Sequence, residues 1–135
     1  MTPNHPDLPN ARQIRLNGSN FADGNANDPS PTGDSNHGNG CAGIIGATRN
    51  NNIGIAGIAP NCRIMPIRIF NANNTGITPQ RLADAITFAR QNGADIISNS
   101  WGYNSDNPNL QPVIRDAIIA ATTQGRMRSC VFGRQ

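Results

Sequence analysis

From residue 62 onward, short apolar runs alternate with helical patterns, and that alternation most constrains how this chain can fold. Cys62–Phe70 reads Cys-Arg-Ile-Met-Pro-Ile-Arg-Ile-Phe, a β-branched run of strand length in which Pro66 disfavours a central position. Thr78 and Pro79 supply a helix cap and a first-turn proline. Leu82, Ala85, Ile86 and Ala89 then fall on one helical face until Gly93 ends the pattern. Ala94–Asn99 follows as a second short strand. From Asn107 to Thr123 a further amphipathic helix runs through Val113, Ile114, Ala117, Ile118 and Ala121 and is closed by Gly125. Helices alternating with short apolar strands predict an α/β fold with a parallel sheet covered on both faces.

The first 36 residues obey a different rule. Asn, Pro, Asp, Ser and Gly dominate, with Ile14, Leu16 and Phe21 as isolated apolar anchors, which predicts a long irregular surface segment. At Asn36 the composition switches. Ser35 or Asn36 can cap a helix over about residues 37–48, ended by the turn-prone Asn50-Asn51-Asn52. The helix opens on His37-Gly38-Asn39-Gly40-Cys41-Ala42-Gly43, so a polar Gly-rich stretch delivers a histidine to the mouth of a small-residue helix.

A histidine serves as general base near neutral pH when it reaches a hydroxyl nucleophile and is itself held by a third group. Gly38 and Gly40 remove bulk around the imidazole, and Cys41, one turn on, is a small filler beneath it. The same stretch formally matches the dinucleotide fingerprint Gly-x-Gly-x-x-Gly. That pattern needs a strand before it and an acidic residue about 20 positions on, and residues 57–66 contain neither Asp nor Glu.

Charge and cysteine content exclude further classes. The net charge of +3 comes from eleven arginines in a chain without Lys or Glu. These arginines are scattered, whereas a nucleic-acid surface needs a basic stripe with interleaved aromatics. Cys41, Cys62 and Cys130 show no Cys-x-x-Cys spacing and are odd in number, against both a zinc site and a complete disulfide framework. No apolar run reaches the roughly 18 residues of a membrane span, and no basic-then-apolar signal peptide opens the chain. No membrane partner is expected, and localisation stays open.

Taken with Asn52-Ile53-Gly54-Ile55-Ala56-Gly57-Ile58-Ala59-Pro60 and Asn99-Ser100-Trp101-Gly102, the histidine stretch resembles the subtilisin-like serine proteases over about residues 5–125. Their histidine motif reads His-Gly-[Thr/Ser]-x-[Val/Cys]-Ala-Gly, and this chain departs from it only at Asn39. The resemblance implies part of the subtilisin-like three-layer α/β fold, stopping before the third strand of this segment. It also implies a serine endopeptidase in which His37 is the triad's general base, acting on a peptide or protein substrate. The family is often secreted.

Further roles follow from the same resemblance. Ser100, Trp101 and Gly102 would form one wall of the primary specificity pocket and pair with an extended peptide, and Asn74, Thr75 and Gly76 would form the opposite wall. Asp7 and the 49–55 loop resemble a family calcium site, with side-chain ligands Asp7 and Asn51 and carbonyls of Arg49, Ile53 and Ile55. An Asn-rich turn without a metal is the alternative there, and no organic cofactor is implied.

The family's aspartate motif, an apolar strand followed by Asp-x-Gly, finds no counterpart ahead of His5-Pro6-Asp7-Leu8. Its Gly-[Thr/Ser]-Ser-x-[Ala/Ser]-x-Pro serine motif is absent from all 135 residues. The tail after Gly125 is polar and basic where a third apolar strand belongs, as though the reading frame shifted near Arg126. The expected organisation is an irregular segment over 1–36, a partial protease domain over 37–125 and a divergent tail over 126–135. Such a fragment is expected to be inactive alone, and a non-catalytic peptide-binding remnant is the competing reading.

Overall fold

The computed structural model of the chain describes residues 1–23, 26–33, 36–73, 77–102 and 111–126. They divide into two compact units, Met1–Gly76 and Ile77–Gln135.

In the first unit a 3-10 turn at Asn10–Arg12 follows Pro9 and aims Arg12 inward. Its Nη1 donates to the carbonyls of Gly46 and Pro60, both at 2.7 Å, and of Cys62 at 3.4 Å. Its Nη2 donates to the Asp7 carbonyl at 3.2 Å and to Thr48 Oγ1 at 2.7 Å. Beyond this turn the backbone runs parallel to the 64–68 stretch, with bridges at Gln13–Ile64 and Asn20–Arg68. Four hydrogen bonds of 2.8–2.9 Å make these bridges: Ile14 N to Ile64 O, Ile64 N to Arg12 O, Phe21 N to Arg68 O and Arg68 N to Ser19 O.

The expectation of a surface segment over residues 1–36 is therefore corrected in part. Leu8 and Met1 pack with Ala42 and Ile64 in a small apolar cluster, and Gln13, Ser19 and Asn20 are buried as well. Gln13 tolerates burial because its Nε2 donates to the carbonyls of Thr2 (3.0 Å) and Leu8 (2.7 Å). Arg68, also buried, pairs with Asp23 at 2.9 Å and donates from Nε to Phe70 O at 3.0 Å.

Helix α1 spans His37–Gly46. Asn36 stands at its N-cap without a side-chain capping bond, and its carbonyl accepts the N–H groups of Asn39 (3.0 Å) and Gly40 (3.2 Å). The helix stops two residues short of the expected end because Ala47 turns extended, with ψ 143°. The carbonyls thereby orphaned are all taken. Ile58 N–H donates to Ile44 O (3.0 Å), Ala59 N–H to Ile45 O (2.7 Å) and Gly57 N–H to Ala47 O (3.0 Å), while Arg12 takes Gly46 O. This close return demands glycine at 57, since a Cβ there would stand 2.7 Å from Gly46 N and 2.8 Å from Gly46 C, and nearer still to Ala47 N.

In the second unit α2, Pro79–Gln91, packs against α3, Pro112–Gln124. Thr78 caps α2 by accepting the Arg81 N–H on its hydroxyl at 3.3 Å, with Pro79 in the first turn. The buried stripe is Leu82, Ala83, Ala85, Ile86 and Ala89, the expected face with Ala83 added. Each fully buried Leu or Ile contributes about 1.5–3 kcal/mol of apolar transfer. Gly93 closes the helix in the left-handed region at φ +79°. The start expected for α3 at Asn107 lies outside the described residues. Ile114 and Ala121, both on its predicted face, are fully buried. Gly125 is extended (φ −74°, ψ 170°), so α3 ends without the left-handed turn usual at a terminal glycine. The stretches read as strands, Cys62–Phe70 and Ala94–Asn99, carry no continuous ladder among the described residues; the two isolated parallel bridges fall on the first of them.

Candidate functional site

His37 is the first residue of α1 and is exposed to solvent. The helical turn places Cys41 against its ring, with Sγ 3.8 Å from Nε2 and 4.0 Å from Nδ1. Space around the histidine is open: a Cβ added at Gly38 or Gly40 would meet nothing within 4 Å among the described residues. Asn39, where the family motif has a hydroxyl residue, grips the segment before it. Its Oδ1 accepts the Thr2 N–H at 3.0 Å and its Nδ2 donates to Thr2 Oγ1 at 2.6 Å, tying the first turn of α1 to the start of the chain. The departure from the motif was the signal in the sequence, and no pattern pointed to Thr2.

Asp7 is 5% exposed and sits against the 48–56 loop. Its Oδ1 accepts the Asn51 Nδ2 at 2.9 Å, and its carbonyl accepts the Thr48 N–H (2.9 Å) and hydroxyl (3.0 Å). Asn50, Asn52 and Gly54 all take left-handed φ angles, 59°, 57° and 55°, which coil the loop around the carboxylate. At Gly54 a side chain is excluded, because a Cβ would stand 2.7 Å from Asp7 Oδ2.

The loop lines an open depression of about 260 Å³ between Thr48 and Ala56. Asp7 and Asn51 are joined by the Nδ2–Oδ1 hydrogen bond, and Arg49, Ile53 and Ile55 belong to the same loop. Asn51 turns its NH₂ to Asp7, and its Oδ1 accepts the Ile53 N–H at 3.2 Å. Carboxylate, amide and carbonyl oxygens are the donor types that suit Ca²⁺, and here Asn51 turns its NH₂ rather than its oxygen to the Asp7 carboxylate. Among the described residues no group of three or more His, Cys, Asp or Glu could hold a metal.

In the second unit Ser100 and Gly102 are exposed and Trp101 is half-buried. The indole Nε1 donates to Asn99 Oδ1 at 3.1 Å, and Asn99 is buried. Asn74, Thr75 and Gly76 lie outside the described residues. His37 and the Asp7 loop belong to one unit and Ser100–Gly102 to the other.

Residues 1–132 match the Subtilase family, Peptidase S8, and the chain belongs to that family. Thermitase of Thermoactinomyces vulgaris is 40% identical over 114 residues, covering 84% of this chain and 38% of that protein. A calcium-dependent protease of Nostoc sp. is 46% identical over 76 residues, covering 56% of this chain and 11% of that protein. Among solved structures, MycP1 with its N-terminal propeptide removed superposes with a TM-score of 0.65 at 24% identity, covering 93% of this chain and 38% of that one. That last likeness is one of fold. The chain spans little more than a third of the length of thermitase.

Proposed function

We propose that this chain carries the general-base segment of a subtilisin-like serine endopeptidase, with His37 taking the proton of a serine hydroxyl as it attacks a scissile peptide carbonyl. The observation that carries the reading is the placement of His37 within the family's histidine motif, as the exposed first residue of α1 in a chain belonging to the Subtilase family. On this reading His37 is the one triad residue among the 135, since neither the aspartate nor the serine motif of the family occurs in them. On the same reading Ser100, Trp101 and Gly102 form one edge of the peptide cleft. The two parallel bridges support assigning Cys62–Phe70 to a parallel sheet of the three-layer fold.

Asp7 and Asn51, with carbonyls of Arg49, Ile53 and Ile55, would hold a structural calcium ion. The buried, loop-wrapped Asp7 carboxylate supports this, and two relatives are described as calcium-dependent proteases. When bound, the ion would fix the 49–55 loop, which leads into the 57–59 return that caps α1.

The test is a chimera in which the matched stretch of thermitase is replaced by this chain. A folded chimera should hydrolyse peptides, and His37→Ala in it should lower kcat on the order of 10⁶-fold, as removal of the triad histidine does in subtilisin itself. Undiminished turnover in that variant would refute the assignment.

A further inference from the structure

Asn99 and Trp101 flank Ser100 on the edge read above as peptide-binding, and their side chains bond to each other across it. An indole N–H only donates, so it fixes the orientation of the amide: Oδ1 must face Nε1, as it does at 3.1 Å. The Asn99 Nδ2 is then left buried, with no partner among the described residues, in a residue only 9% exposed. A buried donor without a partner is a standing cost that an apolar residue at 99 would not carry. What asparagine supplies at this position is the acceptor for the indole. Trp101, between exposed Ser100 and exposed Gly102, is the bulky side chain of that edge, and it is half-buried and tethered.

We infer that Asn99 is a positioning residue that holds the Trp101 indole in one orientation before any peptide arrives, making Trp101 a preset wall of the cleft. A wall already in place orders no side chain on binding, and it limits the size of the peptide side chain lodged beside it. This rests on the reading of Ser100–Gly102 as the peptide edge, and the experiment separates the two.

Trp101 is the chain's single tryptophan, so its indole N–H gives one side-chain cross-peak in a ¹⁵N-labelled sample of the full chain, with no assignment needed. Asn99→Ala should move that resonance and speed its exchange with solvent about two- to tenfold, the worth of one hydrogen bond. Asn99→Asp, which keeps an acceptor at the same place, should restore slow exchange. Far-UV circular dichroism checks that α2 and α3 persist in both variants. An indole N–H that already exchanges at the free-indole rate in the unsubstituted chain overturns the inference even if Asn99→Ala fails to fold. So does an indole resonance indifferent to the substitution.

The second arm adds an N-acetylated tetra-alanine amide to the unsubstituted chain. A shift of the indole resonance supports Trp101 as a wall. No shift, with the Asn99→Ala result intact, overturns the peptide edge and the wall together and leaves only the Asn99–Trp101 bond.

Discussion

Arg12 shows how much one side chain can join. Its five acceptors are four carbonyls and one hydroxyl, drawn from Asp7, the end of α1, Thr48 and the 60–62 turn. Hydrogen bonds from a charged group contribute more than neutral ones, so Arg12→Ala should lower unfolding free energy by about 3 kcal/mol in a urea titration. Arg12→Lys should recover little, because an ammonium cannot reproduce the planar fork. Nothing in the sequence singled out Arg12 among eleven scattered arginines; four of its five acceptors lie 34 to 50 residues away. Asp28 makes a second residue-level case. Its carboxyl is held below the ordinary 3.8, first by the Ser30 hydroxyl, then by the Ser30 N–H and by Arg15, against slight desolvation. A carboxyl depressed in the fold stabilises it fully above the unfolded pKa, and that contribution is lost as pH falls through the lower folded value. Asp28 is half exposed, so the contribution is small. Ser30→Ala removes the largest cause and should raise the Asp28 pKa toward 3.8, read from the carboxyl ¹³C shift against pH.

At the scale of elements, α1 is held from outside by the 57–59 return. Gly57→Ala drives a methyl group into the backbone of Gly46 and Ala47 and should cost about 3 kcal/mol, with loss of helical ellipticity at 222 nm and a lowered thermal midpoint. The helices were legible in the sequence because their bonds are local: the Thr78–Pro79 start, the Leu82–Ala89 stripe and the Gly93 stop each lie within reach of one another along the chain. The burial of residues 1–20 was not legible. Gln13 and Asn20 pair with Ile64 and Arg68, and no periodicity within Met1–Asn20 announces a partner so far downstream. The site divides in the same way. His37 and Cys41 follow from a motif one helical turn long, and Asp7 with Asn51 from resemblance, whereas the Asn39–Thr2 clasp and the Asn99–Trp101 bond depend on side-chain directions that no spacing rule encodes.

For the whole molecule, calcium binding to the Asp7 loop would act as a linkage. An ion that binds only the folded state at 100 times its Kd adds about 2.7 kcal/mol and raises the thermal midpoint by several degrees. Millimolar Ca²⁺ should therefore stabilise the chain in calorimetry, and chelation should reverse the gain. Asp7→Asn, which keeps the shape of the side chain but removes its charge, should abolish the response. An equal response from that variant would place the ion elsewhere.

The arrangement around Arg12 also bears on how the chain comes off the ribosome. Arg12 is made before its partners: its acceptors at Gly46, Pro60 and Cys62 and the Ile64 and Arg68 bridges follow 34 to 56 residues later. At about 5–20 residues per second, synthesis keeps the guanidinium waiting for roughly 3–10 s. The first unit cannot close until residue 68 has been made, and meanwhile its composition is a protection. The segment that carries Asp7, Leu8, Gln13, Ser19 and Asn20 is polar enough to stay in water until the stretch that helps to bury these residues has been made.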